Sequence, residues 1–337
     1  MTRFYKAAPL IALFIILLIL PLILTNQYYL GTVIIILINV LLAASLWFII
    51  TTGQVTLGHA GFAAIGAYIS AALVTSYGQS SWLALLAGIV VAAIVAFLLG
   101  YLTLRIKGIY FIMVTLAAAE VFRLIFSMID KPFGGLVGLM DLPPPSPIAI
   151  PGLFTIDFTS KASIYYLILI FVLLCLVVMH RLNRSRIGLI YFSIMQADNL
   201  SEHVGINIVR YKVQAFVIGS MFAGLAGVLY SYVTGSILPT SFMLNQSIYY
   251  LVYNAIGGGA NIAGPILGTV VLNILSIFLR PIKEFEPIIY GLMLIGVILF
   301  VEGGLLGVVQ RSWARFRESS FGSKSKLAKE SDIKEKH

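Results

Sequence analysis

The chain has 337 residues, of which 60% are hydrophobic and only 10% are charged. A soluble domain carries about a quarter charged residues, so lipid must be the solvent for most of this chain. The formal net charge of +9 does not indicate a nucleic-acid partner, because the basic residues lie at the N-terminus, in short loops and in the tail. In a membrane protein such a distribution is an orientation signal.

Long apolar runs follow one another along the chain. Because a spanning helix needs about 20 apolar residues, the runs predict an all-α polytopic transmembrane bundle of about ten spans. Eight spans plus two re-entrant pieces is the alternative, because 57–76 is rich in small residues and 246–258 meets 262–279 at three glycines. In chain order the runs are 8–25, 28–50, 57–76, 82–104, 109–129, 162–180, 213–235, 246–258, 262–279 and 287–309.

The first run, 8–25, follows two basic residues and could be taken for a signal peptide. It is longer than a signal-peptide core, and no small-x-small cleavage site follows it. We therefore expect an uncleaved first span.

The basic residues predict the orientation. With the N-terminus inside, the inner segments hold 17 of the 22 lysines and arginines, so both termini are expected inside, N-in and C-in. A transmembrane domain then covers 1–310, with a proline-rich external loop or cap at 130–161 and an inner loop at 181–212. A basic tail at 311–337 is expected to lie near anionic lipid.

Small residues dominate the stretch 53–66. Such residues allow close helix packing, or irregular backbone that faces a cavity, so the stretch is either a packing surface or a wall of a translocation route. Its candidate residues are Gln54, Thr56, Gly58, His59 and Gly61.

Two further patterns space small residues by four, at Gly219, Ala223 and Gly227 and at Gly264 and Gly268. This spacing places the small residues on one stripe of a helix, which predicts contacts between helices.

Two charged residues lie inside an apolar run. Glu120 and Arg123 are three residues apart and so share one face of a helix. A charge in the bilayer costs about 3 kcal/mol unless it is paired or wetted, so a structural ion pair is the simplest interpretation. A polar pathway or a contact with a partner subunit is the alternative.

The inner loop carries its own helical pattern. Ile194, Ala197 and Val204 recur at helical spacing, and Asp198 and Glu202 lie four residues apart. The pattern predicts a short amphipathic helix that ends at Gly205. Such a helix is either a solvated connector or a docking element for a soluble partner.

The sequence contains no motif for nucleotide binding, catalysis or metal binding. There is no G-x-x-x-x-G-K-[ST] nucleotide cradle, no catalytic constellation, and no metal-ligand spacing among the four histidines. We expect no enzyme activity, no metal site and no cofactor in this chain. If ATP drives transport, ATP and Mg are bound by another chain.

Six segments, in order, resemble one family. The first reads GQVTLGHAGFAAIGAY and is similar to the "GQ-S-LGHA-F-IGAY" signature of binding-protein-dependent ABC permeases of the branched-chain amino acid type, in the branched-chain amino acid/urea subgroup. The second, at 108–123, includes Thr115, Glu120 and Arg123 and resembles that family's "G-YFA-VTLA-E–R" stretch. The other matching segments are 215–230, 257–268 with Gly257, Gly258 and Gly264, 289–291 and 304–307.

The resemblance implies a multi-pass permease of a bacterial or archaeal inner membrane. Its partners would be a second permease, two ABC ATPase subunits and an external solute-binding protein, and its mechanism ATP-driven alternating access. Branched-chain amino acids, urea or short amides and other small polar solutes stay open as substrates, as does a homo- or heterodimer of permeases. By the same resemblance the ATPase-coupling residues are Asp198, Asn199, Glu202, His203, Gly205, Ile206 and Asn207.

The chain departs from the family pattern in two places. A charged "RAIRED" run is replaced by the apolar stretch 189–198, which implies a diverged ATPase contact, and 301–303 replaces proline and arginine. The alternative function is a stand-alone secondary transporter or channel, for which several intramembrane acids would be expected.

Overall fold

A computed structural model describes residues 14–24, 26–104, 106, 108–150, 154–279, 285–301 and 303–312. It confirms an all-α polytopic membrane bundle. The chain divides into two compact units, Met1–Leu251 and Val252–His337, and each is described by itself. The start of the first predicted run and nearly all of the basic tail lie outside the described residues.

Among its described residues, the first unit contains five helices that are long and apolar enough to cross a membrane, namely Gln27–Ile50, Ser81–Thr103, Ile109–Met128, Lys161–Asn183 and Ile208–Thr234. The elements are α1 (Phe14–Ile23), α2 (Gln27–Ile50), α3 (His59–Thr75), α4 (Ser81–Thr103), α5 (Ile109–Met128), α6 (Asp130–Phe133), β1 (Ile148–Ile150), β2 (Phe154–Ile156), α7 (Lys161–Asn183), α8 (Arg186–Gln196), α9 (Asp198–His203), α10 (Ile208–Thr234) and α11 (Leu244–Gly257). Helix α11 continues into the second unit.

Polar side chains cap four of the five long helices of the first unit, and α5 begins after Gly108 without such a cap. Asn26, Ser80 and Ser160 cap α2, α4 and α7, because each side chain accepts a hydrogen bond from a backbone N–H of the first turn. Asn207 caps α10 in the same way, so α10 begins five residues before the predicted run at 213. The inner loop is correspondingly shorter than predicted.

Helix α10 packs against α2, α3 and α4, and this group forms the core of the first unit. Helix α7 packs on α2, and α5 packs on α3. The hydroxyls of Tyr165 and Tyr166 donate to the carbonyls of Leu17 and Leu18 (2.7 and 3.0 Å), which fastens α1 to α7.

The proline-rich loop is partly folded. Strands β1 and β2 pair antiparallel, with Ile148 opposite Ile156. Trp82 donates from Nε1 to the carbonyl of Ser146 (3.1 Å), and Leu142 N–H donates to the carbonyl of Gly235 (2.9 Å). The loop therefore covers the start of α4 and the end of α10. We call this the loop end of the unit, and the opposite end, which carries α8 and α9, the connector end.

The second unit contains the end of α11, α12 (Ala263–Leu279), α13 (Glu286–Phe300) and a helix at 304–312, α14. The predicted single run at 287–309 is wrong, because α13 ends at Phe300. Gly303 and Gly304 have φ of +81° and +68°, a left-handed backbone that does not continue a right-handed helix. The Tyr290 hydroxyl donates to the carbonyl of Leu272 (2.8 Å) and so ties α13 to α12.

Candidate functional site

The turn between α2 and α3 collects most of the small-residue candidates. Gln54, Thr56 and His59 are buried, as is Thr115 of α5. Leu57 N–H donates to Thr115 Oγ1 (3.3 Å), and a Cβ built on Gly58 would lie 2.9 Å from the Thr115 carbonyl oxygen. The two predicted groups, the 54–61 stretch and the second family segment, therefore meet at one contact.

His59 lies in the packed interior at the start of α3. Its Nε2 is 2.7 Å from Ser45 Oγ of α2, and its ring lies edge-on to the ring of Tyr250. Its Nδ1 is buried and has no hydrogen-bond partner among the described residues.

A serine distant in sequence completes the start of α3. Ala60 N–H donates to Ser247 Oγ (3.0 Å), because the residue before the helix, Gly58, has no side chain to cap it. Neither Ser45 nor Ser247 carries a sequence signal, since each contact joins separate helices.

Glycines bring α3, α4 and α10 into backbone contact. A Cβ on Gly66 would overlap the carbonyl of Gly224, and one on Gly227 would overlap the carbonyl of Ala63. A Cβ on Gly88 would lie 2.7 Å from the Gly66 carbonyl oxygen. Gly61 likewise sits against α5, 2.8 Å from the Ala119 Cα by the same measure. The predicted contact between helices at Gly227 is confirmed.

The predicted ion pair is formed within α5. Arg123 Nε donates to both carboxylate oxygens of Glu120 (2.9 and 3.0 Å), and Nη2 also bonds Oε1. The Arg123 side chain is 19% exposed and that of Glu120 is 44% exposed. The pair therefore lies at the surface of the unit, in the second half of a spanning helix.

The exposed side of α5 differs from that of α4. The exposed residues of α4 include Leu86, Val90 and Ile94, and this helix contains no charged residue. On α5, exposed Met113 lies seven residues before Glu120 and so on the same stripe as the ion pair. Hydrocarbon suits the α4 face, whereas the α5 face exposes a paired acid and base, whose desolvation by lipid has a cost that a polar or protein neighbour would reduce.

The connector between α7 and α10 consists of α8 and α9. The predicted single helix through Ile194, Ala197 and Val204 is wrong, because Ala197 is extended (φ −157°) and separates α8 from α9. Its predicted end at Gly205 is confirmed: Gly205 has φ +85° and its N–H donates to Glu202 O (2.9 Å), while Ile206 N–H donates to Ser201 O (3.1 Å). These two bonds are the Schellman arrangement, which satisfies the last carbonyls of a helix. The short helix therefore has a defined end.

The predicted coupling residues have different surroundings. Asn199, Glu202, His203 and Gly205 are exposed, whereas Ile206 is partly covered. Asp198 accepts a bond from buried Lys212 Nζ (2.9 Å), and Asn207 caps α10 through Arg210 N–H (3.0 Å). Asp198 and Asn207 thus hold the chain's own structure together. Lys212 was missed, because a lysine close to an apolar run predicts a solvated loop.

Gly257, Gly258 and Gly264 lie in the second unit. A Cβ on Gly257 would overlap the carbonyl of Gly264, and one on Gly264 would overlap the carbonyl of Gly258. The three glycines thus allow the backbone at the end of α11 to pack directly against the backbone at the start of α12. Across the described residues, no group of three or more His, Cys, Asp or Glu side chains is placed to hold a metal ion.

These features define a polytopic α-helical membrane protein with close-packed spans and a charged patch on one spanning helix. The family is shown by direct comparison: the chain belongs to the family described as "Branched-chain amino acid transport system / permease component", whose model matches residues 28–301. It is therefore a multi-pass transport permease component.

The chain is 30% identical over 279 residues to the "High-affinity branched-chain amino acid transport system permease protein LivM" of Salmonella typhimurium (strain LT2), covering 76% of this chain and 64% of the relative. It is 28% identical over 278 residues to the LivM of Escherichia coli (strain K12), with the same coverage. The match thus spans slightly less than two thirds of these relatives. A "probable" LivH of Methanocaldococcus jannaschii is 22% identical over 282 residues, covering 80% of this chain and 89% of the relative. No solved structure matches.

Proposed function

We propose that this chain is the permease subunit of a binding-protein-dependent ABC importer in a bacterial or archaeal plasma membrane. Residues 1–310 form the permease domain and the tail at 311–337 lies in the cytoplasm. The importer moves branched-chain amino acids or a similar small polar solute by ATP-driven alternating access. Family membership supports the transport role, and the names of the LivM and LivH relatives support the solute class.

The observation that carries the proposal is the connector. A six-residue helix, α9, has a defined end and presents Asn199, Glu202 and His203 to solvent between two spanning helices. In the N-in orientation α9 faces the cytoplasm, where an ATPase subunit would dock. ATP and Mg belong to that ATPase.

The stretch at 189–198, which stands in place of the family's charged run, also suits docking of an ATPase subunit. Leu189 and Phe192 of α8 are 69% and 55% exposed, and Leu200 of α9 is 68% exposed. These side chains would meet an ATPase surface that is less charged than the family's usual one.

The ion pair on α5 supports a second permease subunit. Its charges are paired with each other but lose hydration in lipid, and the subunit interface of a permease pair would provide them with a polar neighbour. Similarity to both LivM and LivH proteins favours a heterodimer. An external binding protein would deliver the solute to the loop end.

Reconstitution tests the proposal. Proteoliposomes are prepared with the chain alone, and with the second permease, the ATPases and the binding protein. Uphill uptake of radiolabelled leucine is expected only with the full set and ATP. Uphill uptake by the chain alone would establish the stand-alone transporter instead. Calorimetric titration of the binding protein with leucine, urea and short amides would then identify the solute.

A further inference from the structure

The connector is joined to the first turns of α10 by an ion pair between a buried lysine and a partly exposed aspartate. Lys212 is 5% exposed, and its Nζ lies 2.9 Å from Oδ2 of Asp198, the first residue of α9. A buried lysine is costly unless an acid compensates it, so α9 is held at this position on α10. Ser193 Oγ and Ser201 Oγ lie 2.8 Å apart and join α8 to α9.

The other face of α8 is seated on the end of α2. Tyr191 is fully buried, and its ring packs edge-on against Phe48 of α2 (centroids 5.7 Å apart) and against Tyr211 of α10. Burial raises the pKa of the Tyr191 hydroxyl, with a smaller contribution from Tyr211. This hydroxyl has no hydrogen-bond partner in the described part of the chain, so Tyr191 contributes packing.

The turn between α2 and α3 rests on the backbone of α8. Gly53 has φ +77°, and a Cβ built on it would lie 3.4 Å from Met195 Cα and 3.9 Å from Met195 Cβ. From this turn the chain runs four residues to Leu57, whose N–H bonds Thr115 of α5. Packed contacts therefore connect α9, through α8 and the turn between α2 and α3, to α5, the helix that carries the Glu120–Arg123 pair.

We propose that the Asp198–Lys212 pair makes α8, α9 and the start of α10 one rigid block, and that Met195 and Tyr191 pass its displacement to the α2–α3 turn. Asp198 and Lys212 are then positioning residues of the transport cycle. This inference rests on the proposed function, since the displacement comes from the ATPase. Loss of the pair is expected to loosen α9 from α10, because the pair joins these two helices.

The first experiment compares Lys212→Met with Arg210→Met in the complete reconstituted importer. Arg210 is exposed and lies two residues from Lys212 in the same turn. For Lys212→Met, solute taken up per ATP hydrolysed is expected to fall by about tenfold while hydrolysis continues. Arg210→Met should keep the wild-type ratio, and the exchange Asp198→Lys with Lys212→Asp should restore much of it.

The outcomes separate the two proposals. A wild-type complex that does not link hydrolysis to uptake contradicts the proposed function. A coupled wild type in which Lys212→Met keeps the normal ratio contradicts the inference alone. A proportional fall of hydrolysis and uptake also contradicts it, because that result indicates lost assembly.

A disulfide tests the contact itself and does not depend on the ion-pair variants. The Cβ separation of 3.9 Å at Gly53 and Met195 suits a disulfide, for which about 3.5–4.5 Å is usual. The double variant Gly53→Cys with Met195→Cys is made with cysteine-free partners, in a background in which Cys175, the single cysteine of the chain, is replaced by alanine. Gly53→Cys alone controls for the strained backbone. If the contact stays closed through the cycle, oxidised and reduced proteins transport equally. Loss of uptake on oxidation, reversed by reductant, would overturn the inference.

Discussion

At the crossing of α3 and α10, the absent side chains of Gly66 and Gly227 set the distance between the two helices. Each backbone lies where a Cβ of the other would be, so the carbonyls of Gly224 and Ala63 occupy that space. In lipid, helices gain little from burying apolar surface against each other, and close packing of this kind stabilises their association. A single methyl group added at the crossing should therefore lower the stability of the whole unit.

Gly66→Ala is expected to lower the free energy of unfolding by about 1–3 kcal/mol, because the added methyl overlaps a backbone that α10 cannot move alone. The midpoint of thermal unfolding in detergent is the measurement. Gly296→Ala is the matched control, since Gly296 is also inside a helix but no atom lies within 4 Å of its Cβ position. Equal midpoints for the two variants would contradict the close-packing account.

The stripe Gly219–Ala223–Gly227 shows how far the four-residue spacing of small residues predicts contacts between helices. Gly227 contacts α3 as a stripe residue should, but Gly219 faces Ser45 and Ile49 of α2. Gly224, which is off the stripe, meets Ala92 of α4. The pattern thus identified a close-packed helix but not its partners, because α10 is surrounded on three sides.

At the scale of elements, the connector combines a predicted feature with an unforeseen one. The end of α9 at Gly205 follows from local chemistry, since only glycine adopts φ +85° readily. The seating of α8 on α2 depends on Tyr191 and Phe48, which are far apart in sequence. Periodicity within one segment contains no information about such a contact.

Gly205→Val is expected to reduce uptake by the complete importer by about fivefold or more, because a β-branched residue resists the left-handed conformation and the helix end changes. The chain should still insert, and the loss should appear as weaker association with the ATPase. Uptake and ATPase co-purification are the two measurements.

Gly78→Val provides the control for Gly205→Val. Gly78 also has a positive φ, +62°, and no atom lies within 4 Å of its Cβ position, but it belongs to the turn between α3 and α4. Near-normal uptake is expected for this variant. If both variants lose uptake equally, backbone strain rather than docking explains the Gly205 result.

At the scale of the whole molecule, the first unit exposes one face on α4 and another on α5, and the two faces differ in polarity. The α4 face is apolar throughout, whereas the α5 face combines apolar side chains with Glu120 and Arg123. A membrane protein can present the first to lipid at no cost, whereas the acid and base on the second, although paired, lose hydration in lipid, and pairing repays that cost only in part. The second face is thus suited to a neighbouring subunit.

Single cysteines test this assignment in the Cys175→Ala background. Ala117→Cys, exposed on the stripe of Glu120, should cross-link to the second permease in the assembled importer, and Ile94→Cys on α4 should not. The single cysteine is labelled with a thiol-reactive photocross-linker, and the measurement is the yield of cross-linked permease pair after illumination. Cross-linking from α4 instead of α5 would show that the interface had been assigned to the wrong face.

The sequence by itself determined the class, most helix boundaries and the family, because long apolar runs, polar capping residues and ordered motifs are local signals. It also located the Glu120–Arg123 pair, whose three-residue spacing lies within one helix. Only the tertiary structure decided that Lys212 is buried against Asp198, that Ser247 caps α3, and that Gly53 rests on Met195. Each of these contacts joins segments separated in the chain, and packing between helices, rather than the preference of any one segment, selects them.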